Sequence, residues 1–142
     1  MIPDVNVLIA AYRRDHPHHK NAAPWLESAQ RHTAEGRATF ILLPTIIAGF
    51  LRIVTHTRIF PQPDTVGEAM KFIDALITTP GVEIRAEFPW TLFRNKLLQT
   101  KPQFNVTDIW IAATVEALSE HLVTLDHDFK NLLSHADVTF LR

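Results

Sequence analysis

Apolar residues in this chain fall in short dense blocks separated by proline, glycine and acidic residues. Val5 to Tyr12 is apolar almost throughout, which predicts a buried helix. Met1 to Pro3 predicts a very short strand that ends at Asp4. Ala22, Trp25, Leu26 and Ala29 fall at helical spacing. A second helix is expected from Pro17 to about Glu35, kinked or shortened by Pro24 and stopped by Gly36. Thr39 to Leu43 is a continuous apolar run, the mark of a strand covered on both faces. Pro44 then opens a helix at its first position, with Ile46, Ile47, Phe50, Leu51 and Val54 as its apolar residues.

Asp64 is the expected N-cap of a helix from Thr65 to Thr79, whose stripe is Ala69, Phe72, Ile73, Leu76 and Ile77. Pro80-Gly81 ends it, and Val82 to Ala86 predicts a strand. Pro89 to Thr100 reads as helical. Thr107 or Asp108 is expected to cap a helix through Ile111, Ala112, Val115 and Leu118. Leu122 to Leu125 predicts a buried strand, followed by Asp126-His127-Asp128 and a short helix. Val138 to Leu141 predicts a last short strand.

Strands that alternate with helices and lack polar alternation predict an α/β fold with a covered parallel sheet. The 142 residues suit one domain, 1–142. Hydrophobic residues at 46% and charged residues at 20% exclude a disordered chain. There is no cysteine, which excludes a disulfide scaffold, a Cys-based zinc site and a thiol nucleophile. The N-terminus lacks the basic flank of a signal peptide. The longest apolar stretch, Phe40 to Leu51, is shorter than the roughly 20 residues that span a bilayer. The expectation is a soluble cytoplasmic protein with no membrane segment. Fourteen basic against 15 acidic residues give a net charge of −1, which excludes a chain that coats nucleic acid.

In such folds ligands bind beyond the carboxyl ends of the strands. Asp4 follows the first predicted strand, and Asp126 and Asp128 follow the strand Leu122 to Leu125. Asp108 lies at the start of a predicted helix. Gathered carboxylates repel one another and are usually held by a cation. Oxygen donors without Cys suit Mg²⁺ or Mn²⁺. Each acid also has a plainer role: Asp4 as a helix N-cap, Asp108 as a first-turn acid, Asp126-His127-Asp128 as an Asx turn. Asn6, a polar residue in an apolar run, either orients Asp4 or bonds its own backbone.

Four blocks carry a family resemblance. Asp4-Val5-Asn6-Val7-Leu8 is similar to the D-x-N-[VIL]-L opening of PIN domains. Phe50-Leu51-Arg52-Ile53-Val54-Thr55-His56, with Arg58-Ile59-Phe60, resembles the segment after the second acid of VapC-type toxins. Asn105-Val106-Thr107-Asp108, with Ala112-Ala113, resembles their third acidic motif, and Leu122 to Phe129 their fourth. The resemblance spans nearly the whole chain in the right order. It implies a PIN-like three-layer fold with a central parallel sheet of about five strands flanked by helices. It also implies a Mg²⁺- or Mn²⁺-dependent endoribonuclease, usually a homodimer, neutralised by a VapB-type antitoxin. Asp4, Asp108 and Asp126 would match the acidic site and metal residues, Asp128 would be an extra acid in the pocket, and Asn6 and Thr124 would be polar support.

One position departs from the family. Its second acid is normally a Glu before Phe-Leu-Arg, and here Gly49 stands there. A helical Gly costs about 1 kcal/mol relative to Ala, and no turn is called for nearby. Three readings compete: close packing that admits only Gly, natural decay, or a selected or engineered inactivating change. Losing that carboxylate would weaken metal binding and turnover.

In an intact site, metal-activated water would attack an RNA phosphodiester in unstacked RNA. Arg52, one turn from Gly49, is expected to touch phosphate, pair with a site acid, or form a surface ion pair. His16, His18 and His19 match no zinc spacing and read as a solvated loop. Trp25, Trp90 and Trp110 read as core or interface residues rather than base-stacking platforms. The two apolar helices Val5–Tyr12 and Ile46–Val54 carry more hydrophobic surface than one small sheet needs, which predicts a partner helix or second copy. The different-class alternative is a non-catalytic PIN-like module that retains antitoxin or RNA binding. A phosphotransfer domain would need a phosphoacceptor Asp beside a paired acid or a D-x-D-G-T start, and the chain has Asp4-Val5-Asn6-Val7-Leu8 instead.

Overall fold

Short strands and helices alternate along the chain in the computed structural model, which describes all residues Met1–Arg142. The order is β1 (Ile2–Pro3), α1 (Val5–Tyr12), α2 (His19–Ala34), β2 (Phe40–Leu42), α3 (Pro44–Val54), α4 (Val66–Ile77), β3 (Val82–Ile84), α5 (Trp90–Gln99), α6 (Val106–Ala117), β4 (Leu122–Thr124), a 3₁₀ turn (His127–Asn131) and β5 (Val138–Phe140). Every strand pairing is parallel, as the lack of polar alternation predicts.

The expected single sheet of about five strands is divided. β4 lies between β1 and β5 in one three-stranded ladder, and β2 pairs with β3 in another. Pro3 explains the division. Ile2 N and Asp4 N donate to His121 and Val123 on the β4 side, so residue 3 faces β2. Proline has no N–H to donate there. Met1, just before β1, reaches across: Ile41 N donates to its carbonyl at 2.9 Å and its amino group donates to the Thr39 carbonyl at 3.1 Å.

β1, β2 and β4 are buried at every position. The edge strands differ: β3 has Glu83 and Ile84 exposed, and β5 has Thr139 exposed. Strand β3 also ends at Ile84, short of the expected Ala86. α1 packs against α2 and α3, and α5 against α6. Phe40, Phe50 and Phe129 are the largest fully buried side chains. Tyr12, Phe50 and Phe72 form an aromatic cluster with ring centroids 4.9 to 5.4 Å apart. No helix is long and apolar enough to cross a membrane.

Several caps differ from expectation. Helix α2 starts at His19 rather than Pro17 and runs on through Pro24. Thr65, not Asp64, caps α4, because it forms a capping box with Glu68. Asn105, not Thr107 or Asp108, caps α6, and its side chain accepts from Thr107 N at 2.8 Å. Asp108 therefore sits in the first turn of α6, with its carboxylate left free of capping duty.

Asp64 has another role. Arg13, at the C-cap of α1, donates from Nη1 to Asp64 Oδ2 at 2.8 Å and to the Gln62 carbonyl at 3.0 Å. Its Nε and Nη2 reach Asp15 at 2.9 and 2.6 Å, and its guanidinium carbon lies 4.1 Å from the centre of the Phe60 ring. Arg13 thereby ties α1 to the segment that joins α3 to α4. Burial and the neighbouring Asp64 push the Tyr12 hydroxyl up to about 12.

Gly81 ends the α4 region under a double constraint. Its φ is +85°, and a Cβ there would lie 2.9 Å from the Thr33 carbonyl.

The surplus apolar surface expected on α1 and α3 is mostly covered. Val7 to Ala11 and Ile46, Phe50 and Val54 are buried inside the fold. Exposed apolar residues instead gather on β3, α5 and the segment between them, where Ile84, Phe88, Trp90, Leu92 and Leu98 face solvent. Trp90 is 58% exposed, so the core reading fails for it. Trp25 and Trp110 are partly buried against the core, Trp25 near Phe40 and Trp110 edge-on to the exposed Phe88.

Candidate active site

Strand pairing brings the first two site positions together. Pro3 lies opposite Val123 in the β1–β4 ladder, so Asp4 and Thr124 leave adjacent strands side by side. Asp4 is buried, and its carboxylate is fully engaged. Oδ1 accepts from Val5 N at 2.7 Å, which makes Asp4 the N-cap of α1. Oδ2 accepts from the Thr124 hydroxyl at 2.6 Å and from Asn6 Nδ2 at 2.8 Å. One residue thus caps α1 and joins it to Thr124 and Asn6.

Asn6 and Thr124 extend this network to the fourth motif. Asn6 Oδ1 accepts from Leu125 N at 3.0 Å, and Thr124 Oγ1 accepts from Asp126 N at 2.9 Å. The chain after β4 is therefore fastened to the Asp4 carboxylate. Asp126 caps the 3₁₀ turn, with its Oδ1 accepting from Asp128 N at 2.9 Å. The Asx-turn reading holds for this segment, beside any role in a site.

Electrostatics join the four acids. Burial raises the Asp4 pKa, hydrogen bonds from Thr124 and Val5 oppose the rise, and the charge of Asp126 adds to it. Burial also pushes Asp108 up, to about 6, and the charges of Asp4, Asp126 and Asp128 add to the rise. Acids from the start of the chain and from its last third therefore share one field. No Lys or Arg forms an ion pair with any of the four.

The raised Asp108 pKa has a stability consequence. The fold favours its protonated form, so the native state binds more protons than the unfolded chain between pH 3.8 and about 6. Stability is expected to fall as pH rises through that window. In chelator at pH 7, Asp108→Asn is expected to stabilise the fold by about 1 kcal/mol after solvent screening. Urea denaturation at pH 7 and pH 3.5 checks this, because the gain should vanish at the lower pH. A gain equal at both pH values would show that charge is not its source.

The donor set, all carboxylate oxygen without cysteine, has the chemistry of a hard-cation site. As the side chains stand, no three His, Asp or Glu residues are near enough together to hold an ion. Position 49 is where a further carboxylate is expected, and the close-packing reading of its Gly fails. Gly49 lies inside α3 without a positive φ. A Cβ there would meet only Val5 Cγ2, at 3.4 Å, which is ordinary contact. Val5 directly follows Asp4, so a side chain grown at 49 starts beside the acidic edge.

Arg52 is exposed and forms no ion pair, so the surface-pair and acid-pair readings both lapse. His16 accepts from His18 N, and His19 Nδ1 bonds the Ala10 carbonyl at 2.9 Å, in keeping with a loop and helix start. Sequence patterning does not single out Arg13. An Arg13-Arg14 pair after an apolar helix looks solvated, and the partners of Arg13 lie as far away as Asp64.

Residues 1–132 match the family described as PIN domain. The chain is 36% identical over 135 residues to Ribonuclease VapC31 of Mycobacterium tuberculosis (strain CDC 1551 / Oshkosh), with 92% of each chain covered. It is 38% identical over 78 residues to Ribonuclease VapC25 of Mycobacterium tuberculosis (strain ATCC 25618 / H37Rv), covering 54% of this chain and 51% of that one. The fold resembles a chain in the crystal structure of VapBC2 from Rickettsia felis bound to a DNA fragment from their promoter. The TM-score is 0.68 at 18% identity, with 99% of this chain and 98% of that chain covered. The chain belongs to the PIN-domain family. Within that family it is of the VapC type.

Proposed function

We propose that this chain is the ribonuclease toxin of a VapBC-type pair, a Mg²⁺- or Mn²⁺-dependent endoribonuclease built on one PIN-like domain, 1–142, and impaired by Gly49. The observation that carries this is the gathering of Asp4, Asp108, Asp126 and Asp128 in one field without a basic partner. The similarity to Ribonuclease VapC31 supports RNA as the substrate. A divalent ion, when bound, lowers the pKa of its water and neutralises charge on the leaving oxygen. Asp4, Asp108 and Asp126 are the acids that would supply its ligands, with Asp128 at the rim, although as the side chains stand they are too far apart to do so together.

The chain's own groups do the positioning. Thr124 and Asn6 both donate to Asp4 Oδ2 and so fix where that carboxylate points. Partners of this kind are typically worth about 10- to 100-fold in affinity or activity. Arg52, exposed and unpaired, would take an RNA phosphate. A VapB-type antitoxin and a second copy of the chain are the proposed partners, in the cytoplasm. The exposed apolar residues of β3 and α5 support a partner surface.

The test is cleavage of total RNA by the whole chain with Mg²⁺ or Mn²⁺, and with chelator. Weak cleavage that needs the ion and is lost in Asp4→Asn is expected. Cleavage that persists in chelator, or that Asp4→Asn leaves untouched, overturns the reading. Gly49 favours one second reading, a non-catalytic module that still binds antitoxin or RNA. Ion-dependent cleavage by the unaltered chain would rule that out.

A further inference from the structure

An acidic cluster repels the phosphates it must meet, and a net charge of −1 offers no general attraction. A local cationic contact in addition to Arg52 would offset that repulsion. We propose that the hollow between the end of α5, the loop 100–105 and the end of the 3₁₀ turn is a subsite for one unstacked nucleotide of an RNA strand, beside the acids. This inference rests on the ribonuclease reading above.

The hollow is about 420 Å³, within the range of small-molecule pockets. Its walls include Lys96, Lys101, Gln99, Gln103, Phe104 and Asn131, and no acid. Only two of its eight lining residues are hydrophobic, which disfavours an apolar peptide. Lys96 is committed to Glu116 at 2.6 Å and to the Leu132 carbonyl at 2.9 Å. Lys101 is exposed and forms no ion pair, so it is the cation free for a phosphate. The three carboxamides each offer donors and an acceptor to a base edge. Phe104 is half-buried, packed against the core while it lines the hollow, and offers a ring for stacking.

Two of the walls belong to chain segments that carry the acids. Phe104 precedes Asn105, the cap of α6, whose first turn holds Asp108. Asn131 Nδ2 donates to the Asp128 carbonyl at 3.3 Å. A strand with one phosphodiester at the acids would lay its neighbouring nucleotide in the hollow. Phosphate attraction, edge recognition and stacking are thus present together, which matches recognition of single-stranded RNA.

The test is fluorescence anisotropy of a labelled single-stranded RNA hexamer with the whole chain in chelator, so that binding is read without cleavage. Phe104→Leu keeps apolar volume but removes the stacking face, and its melting temperature checks the fold. It is expected to weaken binding roughly 5- to 100-fold. Lys101→Ala, on the surface, is expected to lower the salt slope of log affinity by about 0.7. If both variants bind like the unaltered chain, the subsite is overturned while the ribonuclease reading stands. RNA cleavage with metal but no hexamer binding in chelator also overturns the subsite alone. Neither binding nor cleavage, even after Gly49→Glu, overturns both.

Discussion

Gly49→Glu is expected to raise ion-dependent RNA cleavage by about 100-fold or more, the usual worth of a positioned acid–base group. Nothing in α3 requires glycine at this position. The backbone there has no positive φ, and a Cβ would sit in ordinary contact with Val5. Glycine inside a helix is itself unfavourable by about 1 kcal/mol relative to alanine. The residue is thus neither a packing solution nor a stabilising choice. A glutamate grown beside Val5 reaches toward the edge where Asp4 caps α1.

Gly49→Ala separates the two effects. It should stabilise the helix by about 1 kcal/mol and leave cleavage unchanged, because it supplies a Cβ without a carboxylate. A paired assay of both variants on total RNA, with Mn²⁺ and with chelator, reads the difference. If Gly49→Glu is no more active than the unaltered chain, position 49 is not where an acid is missing. If Gly49→Ala is as active as Gly49→Glu, helix stability rather than charge limits the reaction.

Arg13→Ala is expected to cost about 3 kcal/mol of stability, at the lower end for removing one partner of a buried charge pair. For a chain of this size that is a fall of roughly 6 to 12 °C in melting temperature. Arg13 is 8% exposed and joins α1 to Gln62, Asp64 and the Phe60 ring. Its bond to Asp15 adds less, because that carboxylate is 62% exposed and screened by water. Arg13→Lys keeps the charge but not the planar fork, so an intermediate loss is expected. Urea denaturation checks both variants. A loss below 1 kcal/mol for Arg13→Ala would show that solvent replaces these contacts.

Arg13 also illustrates why legibility along the chain is uneven. Its clamp bridges 51 positions to Asp64, and no local pattern links the two. Asp64 itself looks like a helix cap in sequence, because Asp and Thr are both good caps and adjacent. The Thr65–Glu68 capping box decides between them and frees Asp64 for Arg13. Likewise Asn105 takes the cap of α6 and leaves Asp108 inside the first turn. In both cases the helix was readable from its apolar stripe, while the cap depended on competition among neighbouring polar residues.

Trp90 and β3 show a different limit. Apolar residues at helix or strand spacing read as buried, yet Trp90 and Ile84 face solvent. Hydrophobic pattern reports which residues gain from burial, not whether the covering surface is part of the same chain.

Amino-acid order alone set the alternation of strands and helices and put Asp4, Asp108, Asp126 and Asp128 at their ends. Those features are local: apolar spacing, capping preference and proline geometry act over a few residues. It also exposed Gly49 as a break in an otherwise helical run. The fold decided which atoms meet. The Thr124 hydroxyl lies on the Asp4 carboxylate across 120 positions, Pro3 divides the sheet, and two stretches flanking the acids close the Lys101–Phe104 hollow. Such contacts depend on the register of parallel strands and the packing of distant helices, which short-range pattern does not encode.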